Sequence, residues 1–200
     1  PLSDGGPGLL EALGGANRVS TVTGPLGTPT SVGWRLDHRT AVIEVAAVNG
    51  VELIGGIEFN DPVAASTRGV GELIDAALRE HARTIVVGMG GSAATDGGLG
   101  AIEALGSINR LATVELLVGF DSPIEFAAAA AEFADRKGAT PRQTALLTNR
   151  LQSLAARYRD DYGVDVTGVE GAGASGGLAG GLFAVGGRLI AGFDAVADIV

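Results

Sequence analysis

The chain has 200 residues, of which 46% are hydrophobic, 4% aromatic and 33 glycine without a G-X-Y period; this suits one large or two small packed domains with many tight turns and excludes a collagen-like rod. A formal net charge of -9, with Lys137 the sole lysine, excludes a nucleic-acid surface, so an anionic ligand has to be held by backbone N–H groups, a metal ion or a few arginines. The lack of cysteine removes disulfides, thiol nucleophiles and Cys-ligated metals, and apolar runs that break before about 18 residues predict no membrane partner and a cytoplasmic protein.

The chain opens on Pro1 in the loop Ser3-Asp4-Gly5-Gly6-Pro7-Gly8, and a segment before it is expected. Leu9 to Leu13 starts a helix, and Asn17 to Thr23 alternates as a strand. After the turn Gly24 to Pro29, strands are predicted over Ser31–Leu36 and Thr40–Val45, joined by Asp37-His38-Arg39. Apolar residues at Val70, Leu73, Ile74, Ala77 and Leu78 carry helical spacing, and the β-branched run Thr84 to Met89 reads as a buried parallel strand. That strand feeds Gly90-Gly91-Ser92 and then a helix from Gly97 to Leu105. Helix, strand, glycine loop, helix is the order of a parallel sheet with a site at the strands' C-terminal edge. Further on, a strand over Val114–Phe120, helices over Glu125–Asp135 and Thr144–Tyr158, and strands over Val164–Val169 and Arg188–Ala191 are predicted.

Three loops could carry chemistry. In Gly88 to Gly98 (GMGGSAATDGG), Gly90, Gly91, Gly97 and Gly98 let backbone approach a ligand, Ser92 and Thr95 add hydroxyls, and Asp96 could bind magnesium or accept a proton. A tight turn with Asp96 as a helix N-cap explains the same residues equally well. Asp4 and Asp121, in loops of their own, could converge with it as a metal or proton-transfer site, although turn-capping is the commoner fate of such aspartates. Gly171 to Gly176 matches G-x-G-x-x-G after a predicted strand, but only 24 residues follow it, too few for a complete dinucleotide unit. No G-x-x-x-x-G-K-[ST] occurs, so this is not a P-loop enzyme. His38 and His81 read as surface residues and Trp34 as core or edge packing.

The set AVIEVAAVNG (41–50), STRGVGELI (66–74), GMGGSAATDGGLG (88–100), KGATP (137–141) and GAGASGG (171–177), with PLSDGGPG at the start, resembles the type I glycerate kinase family in motif and order. The resemblance implies an α/β protein with a mainly parallel, Rossmann-like sheet in residues 1–18 and 83–200 and a second, smaller lobe in 19–82. It implies transfer of the ATP γ-phosphate to D-glycerate, with Mg2+, giving 2-phosphoglycerate. By analogy Asp96, Asp4 and Asp121 are catalytic, Asp4 and Asp121 also metal positions. Ser66, Thr67 and Arg68 bind substrate, and Gly90, Gly91, Ser92, Gly97, Gly98 and Lys137 hold phosphate. A homodimer is a further expectation. Pro7 stands where the family has glutamate, and the family's D-S-F-K-G-like and T-G-E-G-like segments are absent, so a non-catalytic relative that binds a small anion or a protein is the alternative.

Overall fold

A computed structural model describes residues 8–191. A short helix α1 (Leu9–Ala12) leads into β1 (Arg18–Thr23), β2 (Pro29–Asp37) and β3 (Thr40–Glu44). The β2–β3 loop is the two-residue turn His38-Arg39, both with positive φ (44° and 70°), the mirror-image turn whose twist suits a tight hairpin. α2 (Val45–Asn49), α3 (Arg68–Arg79), β4 (Thr84–Gly88), α4 (Leu99–Leu105) and β5 (Glu115–Phe120) follow, then α5 (Ala129–Phe133), α6 (Pro141–Tyr162), α7 (Leu178–Ala184) and β6 (Arg188–Ala191).

The six strands form one sheet in sequence order, antiparallel from β1 to β3 and parallel from β3 to β6. An α/β sheet flanked by helices is what the glycine-loop order predicts; the mainly parallel sheet that the resemblance implies is here a mixed one, with three of its five pairings parallel. Because the strand order never reverses, parallel crossovers of one hand put their helices on the same face. On that face Ile43, Ile85, Val87, Leu116 and Val118 join Leu73 and Ile74 of α3, Leu105 of α4, Leu151 of α6 and Leu178 of α7 in one apolar core. The alternate residues Val42, Val86, Leu117 and Ile190 point the other way, against Leu9 and Leu10, as the period of two along a strand requires.

Two predicted elements differ. Val164–Val169 forms no strand: the Asp165 carboxylate accepts from Thr167 N at 3.0 Å and Thr167 Oγ1 at 2.6 Å, a side-chain turn that competes with extended backbone. The G-x-G-x-x-G run therefore lacks the strand that a dinucleotide fingerprint needs. The Glu125–Asp135 helix is broken into 3-10 turns at Phe126–Ala128 and Asp135–Lys137 around the five-residue α5. α6 starts three residues earlier than its apolar spacing suggests, because Thr140 and Gln143 form a capping box with Pro141 in the first turn.

Candidate active site

The registers Glu44↔Gly88 and Gly88↔Gly119 place the ends of β3, β4 and β5 level with one another. The loops leaving that edge surround a cleft of about 500 Å³ lined by Gly90, Gly91 and Ser92 after β4, Asp121 and Pro123 after β5, Phe133, Arg136 and Lys137, and Ala174, Ser175 and Gly176 before α7. Of the sequence-expected residues, Gly90, Gly91, Ser92, Asp121 and Lys137 thus meet in one place. Ser66, Thr67, Arg68, Asp96, Gly97 and Gly98 do not line the cleft, and Asp4 lies outside the described residues.

Asp96 is 8% exposed. Its carboxylate accepts hydrogen bonds from Thr67 N at 2.8 Å, Thr67 Oγ1 at 3.0 Å, Gly98 N at 3.1 Å, Gly100 N at 3.2 Å and Ser66 Oγ at 3.3 Å. Two carboxylate oxygens offer about four lone-pair sites, so this set occupies them and knots the 66–68 segment to the main glycine loop. Arg68 faces away, with Nε on Glu72 Oε1 at 3.0 Å. Gly97 supplies the turn: its φ is +66°, and an added Cβ would sit 2.8 Å from Leu154 Cδ1, so glycine avoids both the left-handed strain and crowding against α6. Tyr158 of α6 donates its hydroxyl to Gly97 O at 2.9 Å.

A second knot centres on Asn49 at the end of α2. Asn49 Oδ1 accepts from Ser92 Oγ at 2.8 Å and Ala94 N at 3.2 Å, and its Nδ2 donates to Ser66 O at 2.6 Å. Asn60 extends the clamp, donating from Nδ2 to Ala93 O at 3.1 Å and Lys137 O at 2.9 Å.

Lys137 gives the cleft its character. It is 7% exposed, and its ammonium donates to Ala94 O and, at 3.2 Å, to Thr95 Oγ1. Burial pushes its pKa down to about 8, against the opposing pull of the Asp96 carboxylate. Beside it the Arg136 guanidinium carbon lies 5.7 Å from the centre of the Phe133 ring, a cation–π distance.

Among the described residues no group of three His, Asp or Glu side chains is arranged to hold a metal. Magnesium carried by a nucleotide needs only one or two protein carboxylates beside the phosphates, and Asp121 is the carboxylate in the cleft lining, so the donor set fits that mode. A larger open groove of about 660 Å³ between β1 and α3 has its acids engaged, Glu72 by Thr23 and Arg68 and Glu80 by Arg18, and no glycine loop reaches it.

Sequence reasoning did not single out Arg136, Ser175, Asn49 or Asn60. Asn49 left a signal, a polar residue ending the apolar stretch Val45 to Val48, and Ser175 lies in the quoted GAGASGG run; Arg136 and Asn60 are surface-type residues brought to the site by tertiary structure alone.

The model of the glycerate kinase family matches residues 1–115 and 113–200. Glycerate 2-kinase of Escherichia coli (strain K12) is 35% identical over 98% of this chain and 61% of its own length; glycerate kinase of Bacillus subtilis (strain 168) is 36% identical over 89% and 56%. The crystal structure of the protein named glycerate kinase 2 from Salmonella typhimurium LT2 superposes with a TM-score of 0.91 at 32% identity, covering 99% of this chain and 63% of that one. The chain thus spans a little over half the length of the relatives it matches. With the family model matching both halves of the chain and relatives 35% and 36% identical over 98% and 89% of it, the chain belongs to the glycerate kinase family.

Proposed function

We propose that the cleft binds a nucleoside triphosphate with its magnesium and D-glycerate, and serves transfer of the γ-phosphoryl group to a glycerate hydroxyl, with 2-phosphoglycerate as product. The observation that carries this reading is the buried Lys137 ammonium beside Gly90, Gly91 and Ser92 in a chain that has no other lysine. Phosphoryl transfer is mostly positioning and charge neutralisation. A cation already stripped of water and aimed by Ala94 and Thr95 interacts with phosphate more strongly than a solvated one.

In this reading the glycerate hydroxyl oxygen attacks phosphorus, the bond to the leaving diphosphate breaks, and the hydroxyl proton passes to Asp121, or to water where Asp121 would instead hold the magnesium. An ion held beside Asp121 would neutralise charge on the phosphate oxygens. Arg136, a cation in the cleft lining, is placed for the glycerate carboxylate. Asp96 and the segment Ser66 to Arg68 act on the reaction by holding the main glycine loop in shape. A cytoplasmic setting accords with an ATP-consuming reaction.

The test is coupled detection of ADP release by this chain with ATP, magnesium and D-glycerate, alongside Lys137→Met and Asp121→Asn. Glycerate-dependent turnover that falls at least a hundredfold in Lys137→Met, with the variant still folded, is the expected result. Absence of turnover in the folded parent chain, also when it is part of a longer polypeptide, overturns the reading and leaves a non-catalytic relative.

A further inference from the structure

Four non-glycine residues among those described have positive φ: His38, Arg39, His81 and Ser175. Three have local explanations. His38 and Arg39 make the two-residue hairpin turn, and His81 sits just past the C-cap of α3, where a left-handed residue commonly ends a helix. Ser175, at φ 51°, lies in the turn run Gly171 to Gly177 and is followed by Gly176 and Gly177, also left-handed at φ 69° and 88°, so it fills a place in this turn that glycine takes on either side. It stands in Gly173-Ala174-Ser175-Gly176-Gly177, between residues that tolerate this conformation freely, at a position where glycine would carry no strain. Strain of this kind persists where the surroundings use it, and it clusters at ligand sites.

The surroundings of Ser175 meet that condition. From Gly171 to Leu182 it is the only residue that is not buried, and it lines the cleft. Its Oγ accepts a hydrogen bond from Gly90 N at 2.9 Å, which fixes the oxygen at the head of the main glycine loop. The hydroxyl hydrogen has no acceptor among the described residues, so it is left to donate. Lys137 borders the following residue, where a Cβ on Gly176 would lie 2.8 Å from Lys137 Nζ, and both Ser175 and Lys137 line the cleft. A hydroxyl donor and an ammonium on one wall make a place for an anionic oxygen.

We infer that Ser175 is a ligand-binding residue whose hydroxyl donates to an anionic oxygen of the molecule in the cleft, and that its left-handed backbone is retained for this contact. The inference rests on the proposed function for the identity of that molecule, whose oxygen can belong to a nucleotide phosphate or to the glycerate carboxylate.

Substitution Ser175→Gly separates contact from strain, because it removes the hydroxyl and relieves the backbone together, while Ser175→Ala removes the hydroxyl and keeps the strain. Calorimetric titration with magnesium ADP and, separately, with D-glycerate, beside thermal unfolding, reads both effects. The expected result is affinity for one of the two ligands about tenfold weaker in both variants, with Ser175→Gly unfolding at or above the parent temperature and Ser175→Ala below it. The ligand that weakens identifies the oxygen. Unchanged affinity for both ligands in both variants, or a Ser175→Gly protein that loses as much stability as Ser175→Ala, overturns the inference and leaves Ser175 a support for Gly90. A parent chain that binds neither ligand overturns this inference and the proposed function together; binding by the parent that both variants keep overturns only the former.

Discussion

Lys137 and Asp96 divide two tasks that their residue types alone would not separate. Both are charged and buried, but Asp96 is saturated by donors from two segments, whereas Lys137 has two neutral acceptors and borders the cleft. The Lys137 pKa, lowered to about 8 by burial, fixes a sign for stability against pH. Below about 8 the lysine is charged in folded and unfolded chains alike, and its desolvation burdens the fold. Between about 8 and the ordinary lysine value the folded chain has released a proton that the unfolded chain still holds, so stability rises with pH. Comparing the parent with Lys137→Met by urea unfolding at about pH 7.5 and about pH 9.5 should show the parent gaining about 2 kcal/mol relative to the variant, from about 1.4 kcal/mol per pH unit. A constant difference across that interval would mean that the ammonium is not desolvated. Ligand affinity should move the opposite way, weakening above about pH 8 as the cation is lost.

At the scale of elements, what the sequence made legible were the segments with a clean period: α3 by its apolar spacing, β4 by its β-branched run, and the glycine loop between β4 and α4. Val164–Val169 misled because β-branched residues favour a strand only when a neighbour pairs with them, and here Asp165 folds the backbone into a turn instead. Close helix approach was also hidden. Gly71 in α3 lies so near α4 that an added Cβ would collide with Ala101 O and sit 2.8 Å from Ala101 Cα. Gly71→Ala would gain about 1 kcal/mol in helix propensity. It meets backbone, which cannot rotate aside, and overpacking typically costs about 1–3 kcal/mol. The clash should win, with a net loss on the order of 1–2 kcal/mol and a lower thermal midpoint. An unchanged or raised midpoint would show that α3 and α4 can separate without disturbing the core.

For the molecule as a whole, the residues that share the cleft come from segments up to 125 positions apart in sequence, from Val51 to Gly176, which is why no one motif outlines it: Ser92, Lys137 and Ser175 lie in three separate motifs and Arg136 in none. The same long-range closure bears on the two-lobe division at residues 19–82. β3 pairs with β4 across that boundary, and Trp34 of β2, fully buried, belongs to the same apolar cluster as Leu151 of α6 and Leu182 of α7. A continuous sheet over one core should unfold as one unit. Trp34 is the chain's only tryptophan, so its fluorescence reports the 19–82 region, while far-ultraviolet circular dichroism is weighted toward α6, the longest helix, outside it. In urea the two signals should change with the same midpoint and slope. A fluorescence transition that precedes the loss of helix would show that residues 19–82 unfold separately, and would restore a lobe boundary that the sheet pairing alone argues against.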